Sequence, residues 1–284
     1  MKLALTGASG IAGEALLRDL AGHEITVLGR SPVPGHPHLA WHLGAPTTDL
    51  GGFDALIHAA FAHAPGRYRG GEGDDPQGFR AANLDGTCRL FEDCAKAGVG
   101  RVIFLSSRAV YDGLGPAPTL TEDRPPCPQS LYGQIKAEAE KHLFSLPLQG
   151  IALRCTGLYG PGKANKWAPL FADYLAGHPI EPRRGTELHV DDLASGVSLL
   201  LASDESGPVH ASDMMLDRHD LLAAVRHLTG CPHDLPARSA RAVNPLICKK
   251  LRALGWQPGG LDLLQATLPA LLASDFSSPK IPRG

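Results

Sequence analysis

The sequence predicts an α/β protein, an open and mostly parallel β-sheet with helices on both faces and a small C-terminal part. Three observations lead there. Runs of strand length alternate with stretches whose apolar residues recur at helical spacing, the order of βα units. Two of the runs, Asp54-Ala-Leu-Ile-His-Ala-Ala60 and Arg101-Val-Ile-Phe-Leu-Ser-Ser107, are nearly continuous in apolar residues, as suits parallel strands covered on both faces. The first run, at residues 3–5, passes into Gly7, Gly10 and Gly13 and then into a helix.

That first stretch organises the chain. Gly7 lets the backbone turn sharply off the strand, Gly10 leaves room for a pyrophosphate against the backbone, and Gly13 lets the helix pack close to the strand. The helix, expected over residues 11–20 with Ile11, Ala15, Leu16 and Leu20 inward, offers unpaired N–H groups and a partial positive charge to phosphates. The expectation is a dinucleotide site. The second strand, 24–28, ends in Gly29-Arg30-Ser31. An acid at such a strand end bonds the 2′-hydroxyl of NAD, whereas an arginine pairs with the 2′-phosphate of NADP. With Arg30 and Ser31 there and no acid beside them, NADP is favoured over NAD; the alternative is that Arg30 is a solvated strand-end charge.

A Pro/His-rich loop (32–37) leads to a short strand at 39–43, and the fourth strand is 54–60. Residues 65–78, rich in Gly and Asp, read as an exposed loop. From about 76 to 97, Phe79, Ala82, Leu90, Phe91 and Cys94 lie at helical spacing, and Gly98 closes that helix. The strand Arg101–Ser107 follows, then a helix over about 132–146. Leu221, Leu222, Val225 and Leu228 mark an amphipathic helix within 213–230, and the tail 277–284 is expected to fray.

Composition narrows the function. A chain of 284 residues with 43% hydrophobic and 20% charged residues suits one large domain, or a cofactor domain with an appendage. The expected division is 1–160 for the dinucleotide-binding part and 161–284 for a smaller substrate-binding part interleaved with it. A net charge of −2 gives no reason to expect nucleic acid or an anionic membrane as partner. No stretch approaches the ~18 apolar residues of a membrane span, and the first apolar run is too short for a signal peptide. Six cysteines without a C-x-x-C pair suggest free thiols in a reducing cytoplasm. The 13 histidines show no metal-ligand spacing, so no metal is expected.

The chemistry sits after the fifth strand. Ser106 and Ser107 lie at its carboxyl end, where open α/β sheets place their ligands. Tyr132-Gly-Gln-Ile-Lys136 opens the next helix, putting Tyr132 and Lys136 on one face at i and i+4. An ammonium beside a phenol should lower its pKa from ~10 toward working pH, making Tyr132 a general acid/base.

These pieces, taken together, resemble the extended short-chain dehydrogenase/reductases, the NAD(P)-dependent epimerase/dehydratase family. The resemblance runs through Thr6-Gly-Ala-Ser-Gly-Ile-Ala-Gly13, Asp54-Ala-Leu-Ile-His-Ala-Ala60, Asn83-Leu-Asp-Gly-Thr87, Phe104-Leu-Ser-Ser-Arg-Ala-Val-Tyr111, Tyr132-Gly-Gln-Ile-Lys136, Leu153-Arg-Cys-Thr-Gly-Leu-Tyr-Gly-Pro-Gly162, His189-Val-Asp-Asp-Leu193 and Leu254-Gly-Trp-Gln-Pro258. It implies a Rossmann-type fold and a catalytic triad of Ser107, Tyr132 and Lys136. It further implies cofactor contacts from Gly7, Ser9, Gly10, Ile11, Gly13, Arg30, Ser31, Ala59, Ala60, Phe61, Asn83, Tyr132, Lys136, Thr156 and Leu158. By the same analogy the protein is a homodimer, paired through the helices around 83–97 and 132–146.

The implied activity is hydride transfer between the nicotinamide and a hydroxyl or carbonyl carbon. The substrate side departs from the sugar-nucleotide epimerases. Their Arg four residues before the motif histidine is Gly185 here, with Arg183 and Arg184 just before it, and the insert 162–189 is short. A free sugar, sugar acid or simple ketone is therefore a credible substrate. The alternatives are a nucleotide-sugar epimerase or dehydratase with retained cofactor, and a non-catalytic NAD(P)-binding sensor. Arg108, beside Ser107, either meets an acidic substrate or forms a surface salt bridge. Arg154, His58 and His189 read as architectural.

Overall fold

A computed structural model describes residues 1–46, 49–63, 71–116, 119–162 and 165–276. Residues 65–70 of the expected loop 65–78 and the whole tail 277–284 lie outside the described residues, and the last three residues of that loop, from Pro76, already belong to a helix. The chain starts with β1 (Lys2–Thr6), α1 (Ile11–Asp19), β2 (Glu24–Gly29), β3 (His38–Ala40) and β4 (Ala55–His58). Next come α2 (Pro76–Arg80), a π-helical turn (Ala81–Asp85), α3 (Gly86–Lys96), β5 (Arg101–Ser107), a 3₁₀ turn (Arg108–Tyr111) and α4 (Leu131–Leu143). The second half adds β6 (Gln149–Cys155), β7 (Gly157–Tyr159), α5 (Ala168–Leu175), β8 (Arg184–His189), α6 (Val190–Leu201) and β9 (Gly207–Ala211). It ends with β10 (Met214–Asp217), α7 (Arg218–Thr229), α8 (Lys249–Ala253) and α9 (Gly260–Phe276).

Seven strands form one parallel sheet in the order β3-β2-β1-β4-β5-β6-β9. This is the doubly wound order with a seventh strand added, and its direction reverses between β1 and β4. Alternation along β1 divides the core: Leu3 and Leu5 face α1 and α6, while Ala4 faces α3 and α4 with Leu56, Phe104 and Phe91. β7, β8 and β10 form a second sheet, with β8 parallel to β7 and antiparallel to β10. A separate core of Phe171, Tyr174, Leu222, Val225 and Leu268 lies among α5, α7 and α9. The chain leaves the large sheet after β6 and returns to it with β9, so the large sheet draws on both halves of the sequence while the smaller sheet comes from the second half alone.

Several expectations need correcting. The helix expected from 76 to 97 is broken by the π turn at Ala81–Asp85. The third strand is His38–Ala40 rather than 39–43, and the fourth stops at His58 because Ala59 and Ala60 turn to meet Gly7. The amphipathic segment begins as the strand β10; the helix starts at Arg218, capped by Asp217, whose side chain accepts from the His219 N–H. Among the described residues no helix is long and apolar enough to cross a membrane, and no group of three or more His, Cys, Asp or Glu could hold a metal ion.

Candidate active site

The β1–α1 turn distinguishes the three glycines by space. Gly7 has φ +74°, and a Cβ on it would fall 2.6 Å from the Ala60 nitrogen. A Cβ on Gly13 would fall 2.2 Å from the Gly7 oxygen. Gly10 is different: it is exposed, its φ of −87° is open to any residue, and a Cβ would meet only the Gly7 oxygen, at 3.4 Å. Gly7 and Gly13 are therefore needed by the fold, whereas the room above Gly10 is left over. Gly10 is also the N-cap of α1 and supplies no side-chain cap, so the first-turn N–H groups stay available to an anion. A dinucleotide pyrophosphate fits this cradle. Ser9 is exposed beside it, and Ile11 is partly buried against the core.

The loop after β4 closes the cradle. The Ala59 N–H donates to the Thr6 carbonyl at 3.3 Å, and the Ala60 N–H to Thr6 Oγ1 at 3.2 Å. Beneath them His58 bridges Thr6 Oγ1 (2.7 Å) and Thr87 Oγ1 (3.0 Å), stacked on Phe104. Burial pushes His58 down to about 3, so it is a neutral strut between β1, β4 and α3. Asn83 sits in the π turn. Its side-chain oxygen accepts from the Ala62 N–H at 2.7 Å, and its amide donates to Ala62 O and Phe79 O. The resemblance implies a cofactor contact for Asn83; in the structure its amide holds the loop that carries Phe61.

Phe61 joins the cradle to the candidate triad. Its ring lies edge-on to Tyr132 at 5.0 Å, and Lys136 Nζ sits 4.5 Å from its centre. Ser130 caps α4 by accepting from the Gly133 N–H, which orients the first turn bearing Tyr132. Gly133 packs there against the Ala109 carbonyl, 2.4 Å from where a Cβ would be. Tyr132 and Ser107 share a side-chain hydrogen bond. Ser107 also accepts from the Ala109 N–H at 3.1 Å, which fixes its hydroxyl at the end of β5.

The neighbouring serine has another task. Ser106 donates to Glu140, which is clasped by Arg154 at 2.6 Å in an ion pair whose side chains are 3% and 2% exposed. Arg154 also donates to Tyr111, whose hydroxyl lies 2.9 Å from His210 Nε2. This buried network braces β5, β6, β9 and α4 under the site. It makes Arg154 architectural and leaves Ser107 alone facing Tyr132.

The electrostatics reverse one expectation. Tyr132 is not lowered; burial pushes it up to about 12, against the Ser107 hydrogen bond. Lys136, 3% exposed, is pushed down to about 7 by burial, with opposing contributions from Cys155 and Glu140. Its Nζ is 5.9 Å from the Tyr132 ring centre and donates to the Leu105 carbonyl at 2.7 Å. Desolvation is the largest cause for both groups: Lys136 lies against the rings of Phe61 and Phe104, and Tyr132 against that of Phe61.

Other expected residues lie farther out. Arg30 and Ser31 are exposed at the end of β2, apart from the triad. Thr156 is buried, its N–H bonded to Ala211 O, and Leu158 is partly buried against the core; Gly157 between them is the exposed residue. Arg108 donates to the Asn244 carbonyl at 3.0 Å. That bond ties the guanidinium to a distant loop. Arg184 donates to the Arg241 carbonyl at 2.7 Å, and Arg183 is exposed. His189 caps α6 through Nδ1. Missed from sequence were the ring of His63, 6.2 Å from Tyr132, and the ion pair Lys166–Glu187 beside Gly157. Lys166 and Glu187 are 21 residues apart and on different elements, so no local spacing announces them.

A sequence model of the NAD dependent epimerase/dehydratase family matches residues 3–212. A 2-alkyl-3-oxoalkanoate reductase of Stenotrophomonas maltophilia is 31% identical over 180 residues, 57% of this chain and 52% of that protein. A UDP-glucose 4-epimerase of Vibrio cholerae is 36% identical over 109 residues, 36% of this chain and 33% of that protein. The chain thus spans about half or less of the length of these curated relatives. In structure it is similar to a Thermus thermophilus UDP-glucose 4-epimerase solved with NAD, with TM-score 0.77, 23% identity, and coverage of 98% of this chain and 100% of that one.

Proposed function

The chain belongs to the NAD dependent epimerase/dehydratase family, and from that premise we propose that it is an NAD(P)-dependent oxidoreductase acting at a hydroxyl or carbonyl carbon of a sugar-like or other small polar substrate. The observation that carries this reading is the meeting of Ser107, Tyr132 and Lys136 at the carboxyl end of β5, joined through Phe61 to the open glycine turn. A non-catalytic sensor has no need of that constellation.

Gly7, Gly10, Gly13 and the α1 N-terminus would hold the pyrophosphate, with Ala59, Ala60 and Phe61 along its inner side. A nicotinamide dinucleotide bound there supplies the hydride donor or acceptor. The proton is the protein's task. A phenol held up at about 12 is protonated at neutral pH, so Tyr132 is set to donate to a substrate oxygen, the reductive direction. Ser107 Oγ–H can donate to the same oxygen and stabilise charge developing there. In the oxidative direction Tyr132 must give up its proton first. Lys136 favours that step when its ammonium turns from the Leu105 carbonyl toward the phenol. Arg30 supports NADP: it is exposed at the end of β2 and makes no hydrogen bond or ion pair among the described residues. Pairing of two copies through α3 and α4 and a cytoplasmic location belong to the same proposal.

A second reading, a nucleotide-sugar epimerase or dehydratase with retained cofactor, is favoured by the stretch shared with the Vibrio cholerae epimerase. One experiment separates them. Nucleotide released on denaturing the purified protein is quantified, and NADPH and NADH consumption is followed with a panel of aldoses and ketones for wild type and Tyr132→Phe. Net NADPH oxidation that vanishes in Tyr132→Phe supports the first reading. Stoichiometric bound NAD without net oxidation supports the second. Unchanged turnover in Tyr132→Phe contradicts both.

A further inference from the structure

Gly157 opens β7 two residues after Cys155, the β6 residue paired with Ser107. Two residues of extended chain span at most about 7 Å, so Gly157 lies at the margin of the candidate active site. It is exposed. Where its side chain would be, Glu187 Oε2 and Lys166 Nζ stand 2.6 and 2.9 Å from the Cβ position. The two are bonded to each other, with side chains 16% and 23% exposed. Glu187 comes from β8, opposite Gly157, and Lys166 precedes Trp167, whose ring centre is 5.0 Å from Nζ.

The pair is costly for the fold alone. Burial pushes Lys166 down and Glu187 up, and their mutual attraction only opposes this. Apolar residues of the same size would serve a structural role as well. An ammonium carries three donors, and among the described residues Lys166 spends one, on Glu187. The carboxylate keeps acceptor capacity. Such a pair can give and receive a hydrogen bond on one hydroxyl group, and a missing side chain at Gly157 leaves room for that group to approach.

We propose that Lys166 and Glu187 form a specificity subsite over Gly157 that reads a hydroxyl group of the substrate, selecting hydroxylated over alkyl ligands. This rests on the functional reading above and deepens it. The arrangement discriminates by chemistry. An alkyl chain laid there would strip water from both charges without replacing their hydrogen bonds, whereas a hydroxyl replaces them.

The test is saturation-transfer NMR of the 284-residue chain with NADH added, using D-glucose, UDP-glucose and 2-octanone as probes. Wild type, Glu187→Gln and Lys166→Met are compared, with nicotinamide fluorescence and thermal melts on the same samples. Glu187→Gln keeps a hydrogen bond to Lys166, so it decides the matter if Lys166→Met does not fold. The expected result is saturation of at least one sugar probe in wild type, its affinity weakened about tenfold in Glu187→Gln by loss of a hydrogen bond to a charged group, with NADH binding unchanged. Sugar saturation unchanged in Glu187→Gln, saturation of 2-octanone alone, or saturation of no probe overturns the inference. If NADH still binds in those cases, the general reading stands without the subsite; if NADH does not bind wild type, both fall.

Discussion

Lys136 Nζ donates to the carbonyl oxygen of Leu105 at 2.7 Å, two residues before Ser107. The ammonium is thereby held on the strand side of the site, enclosed by Phe61 and Phe104, and its affinity for a proton falls to about 7. Stability follows from this by linkage. Between pH 7 and the ordinary lysine range the unfolded chain holds a proton on this residue that the folded chain tends to lose. The contribution of Lys136 to stability therefore rises with pH through that window, and below it the full cost of burying the charge remains. Thermal melts of the cofactor-free protein from pH 6.5 to 8.5 should show Lys136→Met more stable than wild type, with the gap narrowing as pH rises. A constant gap would mean that Lys136 is not titrating there.

Asn83 makes three hydrogen bonds, two to Ala62 and one to Phe79. Replacing it by Leu leaves the Ala62 groups without their partner and frees the loop that presents Phe61. The expected cost is about 1–3 kcal/mol for buried groups left unpaired, read by urea denaturation. Cofactor affinity should weaken with it, read by nicotinamide fluorescence. Loss of affinity without loss of stability would instead make Asn83 a direct ligand.

The Arg154–Glu140 pair is enclosed on all sides. Arg154→Met leaves a buried carboxylate and should cost about 3–5 kcal/mol, whereas Arg154→Met with Glu140→Met should cost far less. Denaturation of the two single variants and the double variant checks this. Additive losses would place the network's value in Ser106 and Tyr111 rather than in the pair.

The fold was legible where the chain repeats a local rule. The strand Arg101–Ser107 is where its apolar run ends, and the β1–α1 turn follows from glycines whose spacing is steric. The site was legible in part for the same reason: Tyr132 and Lys136 share a helix face. What was hidden depends on tertiary enclosure. No spacing shows that Ser106 is consumed by Glu140, that the Asn83 amide is spent on Ala62 and Phe79, or that burial sets the proton affinity of Tyr132. The same holds for Gly157, a small residue in sequence that becomes meaningful only when Lys166 and Glu187 arrive from two other elements.

The most direct test of the central claim uses Gly10, the glycine of the β1–α1 turn that the fold can spare. Gly10→Asp adds a favoured N-cap residue to α1 in a backbone conformation it accepts, so stability should hold or rise by up to about 1 kcal/mol. The carboxylate would occupy the cradle and repel phosphate. Equilibrium binding of NADPH and NADH, followed by nicotinamide fluorescence, should show wild type binding at least one of them and Gly10→Asp binding neither, at equal or higher melting temperature. Wild-type affinity in Gly10→Asp, or no binding by wild type, would contradict the account.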